Sequence, residues 1–134
     1  MRTFNHWQAG LAAVLLCLAG RPVAAQEPEV NVLAAKDLAG SADQEALMLT
    51  VEYGPGVSEP VHRHDAQAFV YMLEGSVIMQ VKGQPAVTLA PGDTFYEGRD
   101  DVHLVGRNAS RTEPARFVVF LVKDRGAAVA VPVP

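Results

Sequence analysis

Apolar and polar positions alternate along most of this chain in short runs, and turn residues separate the runs. Leu47-Met48-Leu49-Thr50-Val51-Glu52-Tyr53 places Leu47, Leu49, Val51 and Tyr53 on one face of a strand, and Gly54-Pro55-Gly56 ends it. Ala68 to Leu73 predicts a second strand. Ser76 to Val81 follows at once, so Glu74-Gly75 between them predicts a hairpin turn. Lys82-Gly83-Gln84-Pro85 and Ala90-Pro91-Gly92-Asp93 are further turns that bracket a short strand, Ala86 to Leu89. Thr94 to Glu97, Val102 to Val105 and Arg116 to Val122 complete the series. Val30 to Leu33 predicts a leader strand, and the apolar tail from Ala127 to Val133 an added edge strand. No stretch has a convincing helical period. Short strands recurring every 8–12 residues or so predict an all-β sandwich or barrel.

The first residues follow different rules. Met1 to Gln8 carry one basic residue and no acid; an uncharged apolar run, Ala9 to Gly20, comes next; Val23-Ala24-Ala25 supplies the small residues that a signal peptidase requires. The run is too short to span a bilayer, which takes about 20 residues. The expectation is a cleaved signal peptide over 1–25, a leader segment over 26–45, a barrel over 46–124, and a tail or edge strand over 125–134. It implies a periplasmic or secreted protein with no membrane attachment once the signal is removed.

Cleavage changes the composition that matters. Of 134 residues, 109 remain, and nine basic residues face fifteen acidic ones, a net charge of −6. That balance argues against nucleic-acid binding, which works by neutralising phosphates. Cys17, the one cysteine, leaves with the signal, so neither a disulfide nor a cysteine metal cluster is available. Three histidines stay: His62, His64 and His103.

These histidines carry the candidate chemistry. Residues two apart on a strand face the same way, so His62 and His64 project together. His103 lies some forty positions on, just beyond the Gly98-Arg99-Asp100-Asp101 loop, at the start of another strand. Neutral imidazole is the commonest metal-donor side chain. An isolated His-x-His is more often two surface histidines, and only the surrounding pattern changes that balance.

The surrounding pattern resembles the cupin superfamily. Its first motif has a glycine, five residues, His-x-His, a glutamate and a closing glycine. Here Gly56 precedes His62-Arg63-His64 by that interval, and Gly75 closes the motif. In the second, Gly92-Asp93 leads at the expected distance to His103, with Asn108 one place late. The resemblance covers about residues 46–122. It implies a small jelly-roll β-barrel holding one divalent metal ion (Fe, Mn, Ni, Cu or Zn) on His62, His64 and His103, and a homodimer joined through barrel edges.

One departure bears on the chemistry. The motif's glutamate falls at residue 68, and this chain has Ala68, which cannot bind metal. Gln67 is one substitute, through its carbonyl oxygen if the strand is locally bulged. Glu97 is another, either as a ligand from a different strand or as a base beside the metal; the alternative places it in solvent. Its parity with Phe95 argues for the inner face. Tyr71, Tyr96, Met48, Met72 and Met79 are expected to pack rather than react, and the sequon at Asn108-Ala109-Ser110 is discounted as a glycosylation site.

Two functions remain open. One is a metal-dependent, oxygenase-type enzyme acting on a small organic molecule, with Glu97 as catalytic residue; an open three-nitrogen site suits it. The other is a non-catalytic metal- or small-ligand-binding protein of the cell envelope, for which the missing glutamate speaks.

Overall fold

The computed structural model describes residues 26–134, so the expected signal peptide lies outside the described residues. Those residues form ten strands and no helix: β1 (Glu29–Asp37), β2 (Gln44–Tyr53), β3 (His62–Arg63), β4 (Ala66–Glu74), β5 (Val77–Val81), β6 (Val87–Leu89), β7 (Thr94–Glu97), β8 (Val102–Asn108), β9 (Ala115–Asp124) and β10 (Val131–Pro132). They assemble into two antiparallel sheets in the manner of a jelly roll. One runs β1-β2-β9-β4-β7 and the other β10-β3-β8-β5-β6.

The alternation in the sequence decides which side chains meet between the sheets. On β2, Leu49, Val51 and Tyr53 point inward; on β4, Ala66, Ala68, Val70 and Met72; on β9, Ala115, Phe117, Val119 and Leu121. β5 contributes Val77 and Met79 from the opposite sheet. Tyr53 meets Phe117 edge to face, with ring centroids 5.1 Å apart. Burying a side chain such as Leu121 stabilises the fold by about 1.5–3 kcal/mol. The outer face of the first sheet is aromatic: Phe69, Tyr71 and Tyr96 are each about half exposed, and Phe69 packs beside Tyr96 and Phe120. Met72 and Met79 pack in the core as expected. Met48 does not, because its parity on β2 is opposite to that of Leu47 and Leu49.

The hairpin expected at Glu74-Gly75 does not form. β4 pairs with β7 and β9, whereas β5 pairs with β6 and β8, so the chain crosses from one sheet to the other at Gly75. Strand alternation fixes the face of a residue, not the sheet its strand joins. Gly75 has φ of 69°, and a Cβ there would lie 2.4 Å from the Pro114 carbonyl oxygen. Gly83 has a similar φ of 86° but open space around it. Gly83→Ala is therefore expected to cost about 1–2 kcal/mol, the left-handed penalty alone. Gly75→Ala should cost more, because the backbone must also move. Thermal melts of the two variants check this; equal losses would contradict the steric argument.

The tail supplies a short edge strand. β10 pairs with β3, Val131 opposite Arg63 and Pro132 opposite His62. Asn108, at the end of β8, is buried, and its amide nitrogen donates to the carbonyls of Tyr53, Gly54 and Glu113. The sequon's asparagine is thus a structural clamp.

Candidate metal centre

Strand register brings the three histidines together. His62 on β3 and His103 on β8 are direct cross-strand partners, so both project from the same rung towards the interior. His64 follows two residues after His62 and faces the same way. One ligand nitrogen from each lies within 4.8 Å of the other two, a group able to hold a metal ion.

Hydrogen bonds fix how two of the rings present themselves. His62 Nδ1 donates to the Pro60 carbonyl at 2.9 Å, and His64 Nδ1 donates to the Val129 carbonyl. A carbonyl only accepts, so each Nδ1 carries the proton and each Nε2 presents a lone pair. The two Nε2 atoms lie 3.3 Å apart. Two lone pairs at that distance repel unless an electrophile sits between them. Nitrogens about 2.1 Å from a single ion would stand about 3.0 Å apart at a right angle and about 3.4 Å apart at the tetrahedral angle. The observed separation falls within that range.

Glu97 also lies inside. It is 2% exposed, with Oε2 3.3 Å from His103 Nδ1 and 3.6 Å from His64 Nε2. Its cross-strand partner is Ala68. A buried carboxyl thus stands opposite residue 68 on the neighbouring strand, on the same face. Gln67 is not brought to the site. It is exposed on the outer face of β4 between Ala66 and Ala68, both fully buried, and no bulge at that point turns it inward. It is removed from the candidate ligands.

The polar atoms here are short of partners. Glu97 Oε2 and both ring nitrogens of His103 are buried without a hydrogen bond. Such orphans are rare in native proteins and point to an ion or ordered group. Burial, with the neighbouring His62 imidazole second, pushes the His103 imidazole down to about 4; burial also lowers His64. Both rings are neutral donors at neutral pH, as metal ligation requires. Burial, then the charges of Glu59 and Asp101, pushes the Glu97 carboxyl up to about 8. A cation beside it would restore the ionised form. Three imidazoles and one carboxylate suit Fe, Mn, Ni, Cu or Zn, so the residues fit the expected ion.

Sequence reasoning missed Glu59. Its Oε2 lies 3.7 Å from His62 Nε2, and burial raises its carboxyl despite the opposing influence of His62. A Cβ at Gly106 would lie 3.1 Å from Glu59 Oε2, 3.1 Å from His103 Cε1 and 3.2 Å from the Tyr53 hydroxyl. The three groups therefore converge over a glycine that leaves them room. The only hint in the sequence was an acid three residues before His62, in a segment without periodicity.

The tail that holds His64 is itself clasped. Lys123, on the inner face of β9, donates to Glu45 Oε1 at 2.5 Å and to the Ala127 carbonyl at 2.7 Å. The Lys123 ammonium holds the Glu45 carboxyl below its ordinary value of 4.5. A carboxyl lowered in the folded state stabilises it above the ordinary value and ceases to do so as acid protonates it. Acidification from pH 5 to below about 4 should therefore loosen the tail. The check is exchange protection of the Val133 amide, which donates to the Val61 carbonyl. Protection unchanged across that range, after correction for intrinsic rates, would show that the clasp does not hold the tail.

Comparison with known proteins bears on the fold and the family. None of the curated proteins matches the chain. Among solved structures, DMSP lyase DddQ from Ruegeria pomeroyi is 24% identical, with a TM-score of 0.59 over 66% of this chain and 43% of that one. The chain thus spans less than half the length of that lyase. Polyketide cyclase RemF from Streptomyces resistomycificus is 24% identical, with a TM-score of 0.61 over 81% of this chain and 74% of the cyclase. A cupin-like protein from Thermotoga maritima is 21% identical, with a TM-score of 0.62 over 79% of this chain and 75% of that one. At these identities the likeness shows the fold. The profile of the Cupin domain family matches residues 49–121, from the inward Leu49 of β2 to the inward Leu121 of β9, and by that match the chain belongs to the cupins.

Proposed function

We propose that this cupin is an exported, metal-dependent enzyme acting on a small organic molecule, with one divalent ion on His62, His64, His103 and Glu97. The observation that carries the proposal is the inward Glu97 beside three buried histidines, with polar atoms left unpaired among them. Burying a carboxyl in an apolar core costs several kcal/mol unless something there engages it. A merely structural barrel would gain nothing from it. That two of the similar folds are a lyase and a cyclase supports an enzyme over a passive binder.

When bound, the ion would polarise an oxygen of the substrate as a Lewis acid. The chain's own residues do the rest. His62 and His64 are held in one tautomer by the Pro60 and Val129 carbonyls. Glu97 offsets part of the positive charge. Glu59, whose carboxyl is raised by burial, is placed to hold or release a proton at Oε2 beside His62. The proposal extends to a periplasmic or secreted location, on the strength of the N-terminal pattern. It extends also to a homodimer, supported by the exposed aromatic face of the first sheet and by the apolar edge strand β1. Sedimentation tests the dimer.

Metal analysis tests the core of the proposal. Protein stripped by a chelator and reloaded in turn with Fe, Mn, Ni, Cu and Zn should take up one equivalent of at least one ion. Uptake of none would end this reading.

A further inference from the structure

The walls of the cavity around the metal centre restrict what can enter it. The space is about 300 Å³, within the range of small-molecule sites. Its polar groups gather at one end, where the three histidines, Glu97, Glu59 and the Tyr53 hydroxyl stand. Apart from Glu27, the remainder is apolar and includes Leu49, Val51, Val70, Met79, Val119 and Leu121, drawn from both sheets. Among the described residues, no lysine or arginine lines the cavity. The nearest inward cation on β9, Lys123, is occupied by Glu45 and the tail carbonyls. The acids that line the cavity, Glu27, Glu59 and Glu97, offer an anion no countercharge.

From this we infer the class of substrate: an uncharged, mostly apolar molecule about the size of one substituted ring, with an oxygen donor at one end. The inference rests on the proposed metal centre for the direction of that oxygen. A cavity of roughly 150 Å³ lined by such side chains stays dry and binds benzene. Twice that space takes a ring with substituents, or a branched chain of about ten carbons. A dicarboxylate could place one end near the histidines, but its other end would face hydrocarbon with no guanidinium or ammonium to meet it. A sugar would leave hydroxyls unpaired along the same wall. A phenol or a comparable alcohol or ketone leaves neither fault, since its one polar group meets the polar end.

Met79 provides a reporter. It is 1% exposed and lines the cavity, whereas Met48 lies on the outside of β2. Protein carrying ¹³C-methyl methionine is titrated with 4-methylphenol, toluene, glycolate, oxalate and glucose. The titrations are run on metal-stripped protein and on protein supplied with zinc, and bound zinc is measured separately. The expected result is a saturable shift of the Met79 methyl with 4-methylphenol and toluene, at concentrations tenfold or more below any needed for the anions or glucose. The Met48 methyl should not respond. A Met79 methyl that ignores 4-methylphenol, or answers oxalate, glycolate or glucose as readily, overturns the substrate class whatever the zinc content. Binding of 4-methylphenol by protein that takes up none of Fe, Mn, Ni, Cu or Zn would instead overturn the metal centre and leave the apolar site standing.

Discussion

Replacing His103 by alanine is expected to weaken binding of the divalent ion by about 100-fold or more. Loss of a group that only orients a ligand already costs 10–100-fold, so loss of the ligand should cost no less. His62→Ala and His64→Ala should behave alike, because each removes one of few donors. The fold should survive all three, since the core lies among the aliphatic and aromatic side chains of β2, β4, β5 and β9. Metal content by elemental analysis and thermal melting by circular dichroism separate the two effects. Three variants that retain one equivalent of tightly bound metal would show that the cluster is not the site.

The second large effect concerns the rung shared by Ala68 and Glu97. Glu97→Ala is expected to lower metal affinity by about 10–100-fold. Glu97→Gln, which keeps the volume and loses the charge, should do the same. Adding Ala68→Glu to Glu97→Ala should recover most of the loss. Directly opposed residues have Cβ atoms only about 4.5–5.5 Å apart and face the same way, so a glutamate at 68 reaches the same space. Ala68→Glu alone should destabilise the metal-free protein, because two carboxyls would then share a buried volume. Calorimetric titration with zinc reads all four chains. A double variant that binds no better than Glu97→Ala would show that Glu97 acts from its own position and not as a replacement ligand.

Much of this arrangement was legible in the sequence, for reasons that also explain what was not. His62 and His64 are two apart on a strand, so their common direction follows from the pleat alone. The inward turn of Glu97 followed from its parity with Phe95, which packs against the core. Gln67 was excluded only by register, because its neighbours Ala66 and Ala68 are small enough that composition does not say which parity is inside. Met48 failed for the opposite reason: an apolar residue between two apolar inward residues carries no mark of its outward direction. The crossing at Gly75 was hidden because a tight turn and a change of sheet use the same residues. Glu59 was hidden because it stands in a loop, where no period applies, and its place beside His62 and Tyr53 depends on the fold as a whole. The clasp of Lys123 on Glu45 joins residues 78 apart. No local pattern announces such a pair.

The opposition of Ala68 and Glu97 bears on how sites of this kind are recognised and how they change. A comparison made one column at a time finds alanine where an acid is required and scores the centre as lost. A comparison made across the ladder finds the acid one strand away, in the same volume. The unit that persists is then the pair of opposed positions. A lineage could pass through a stage with acids at both positions, weaker in its fold but never without a ligand, and emerge with either one. Chains of this fold that lack the motif glutamate are worth inspecting at the position facing it before their centre is judged inert.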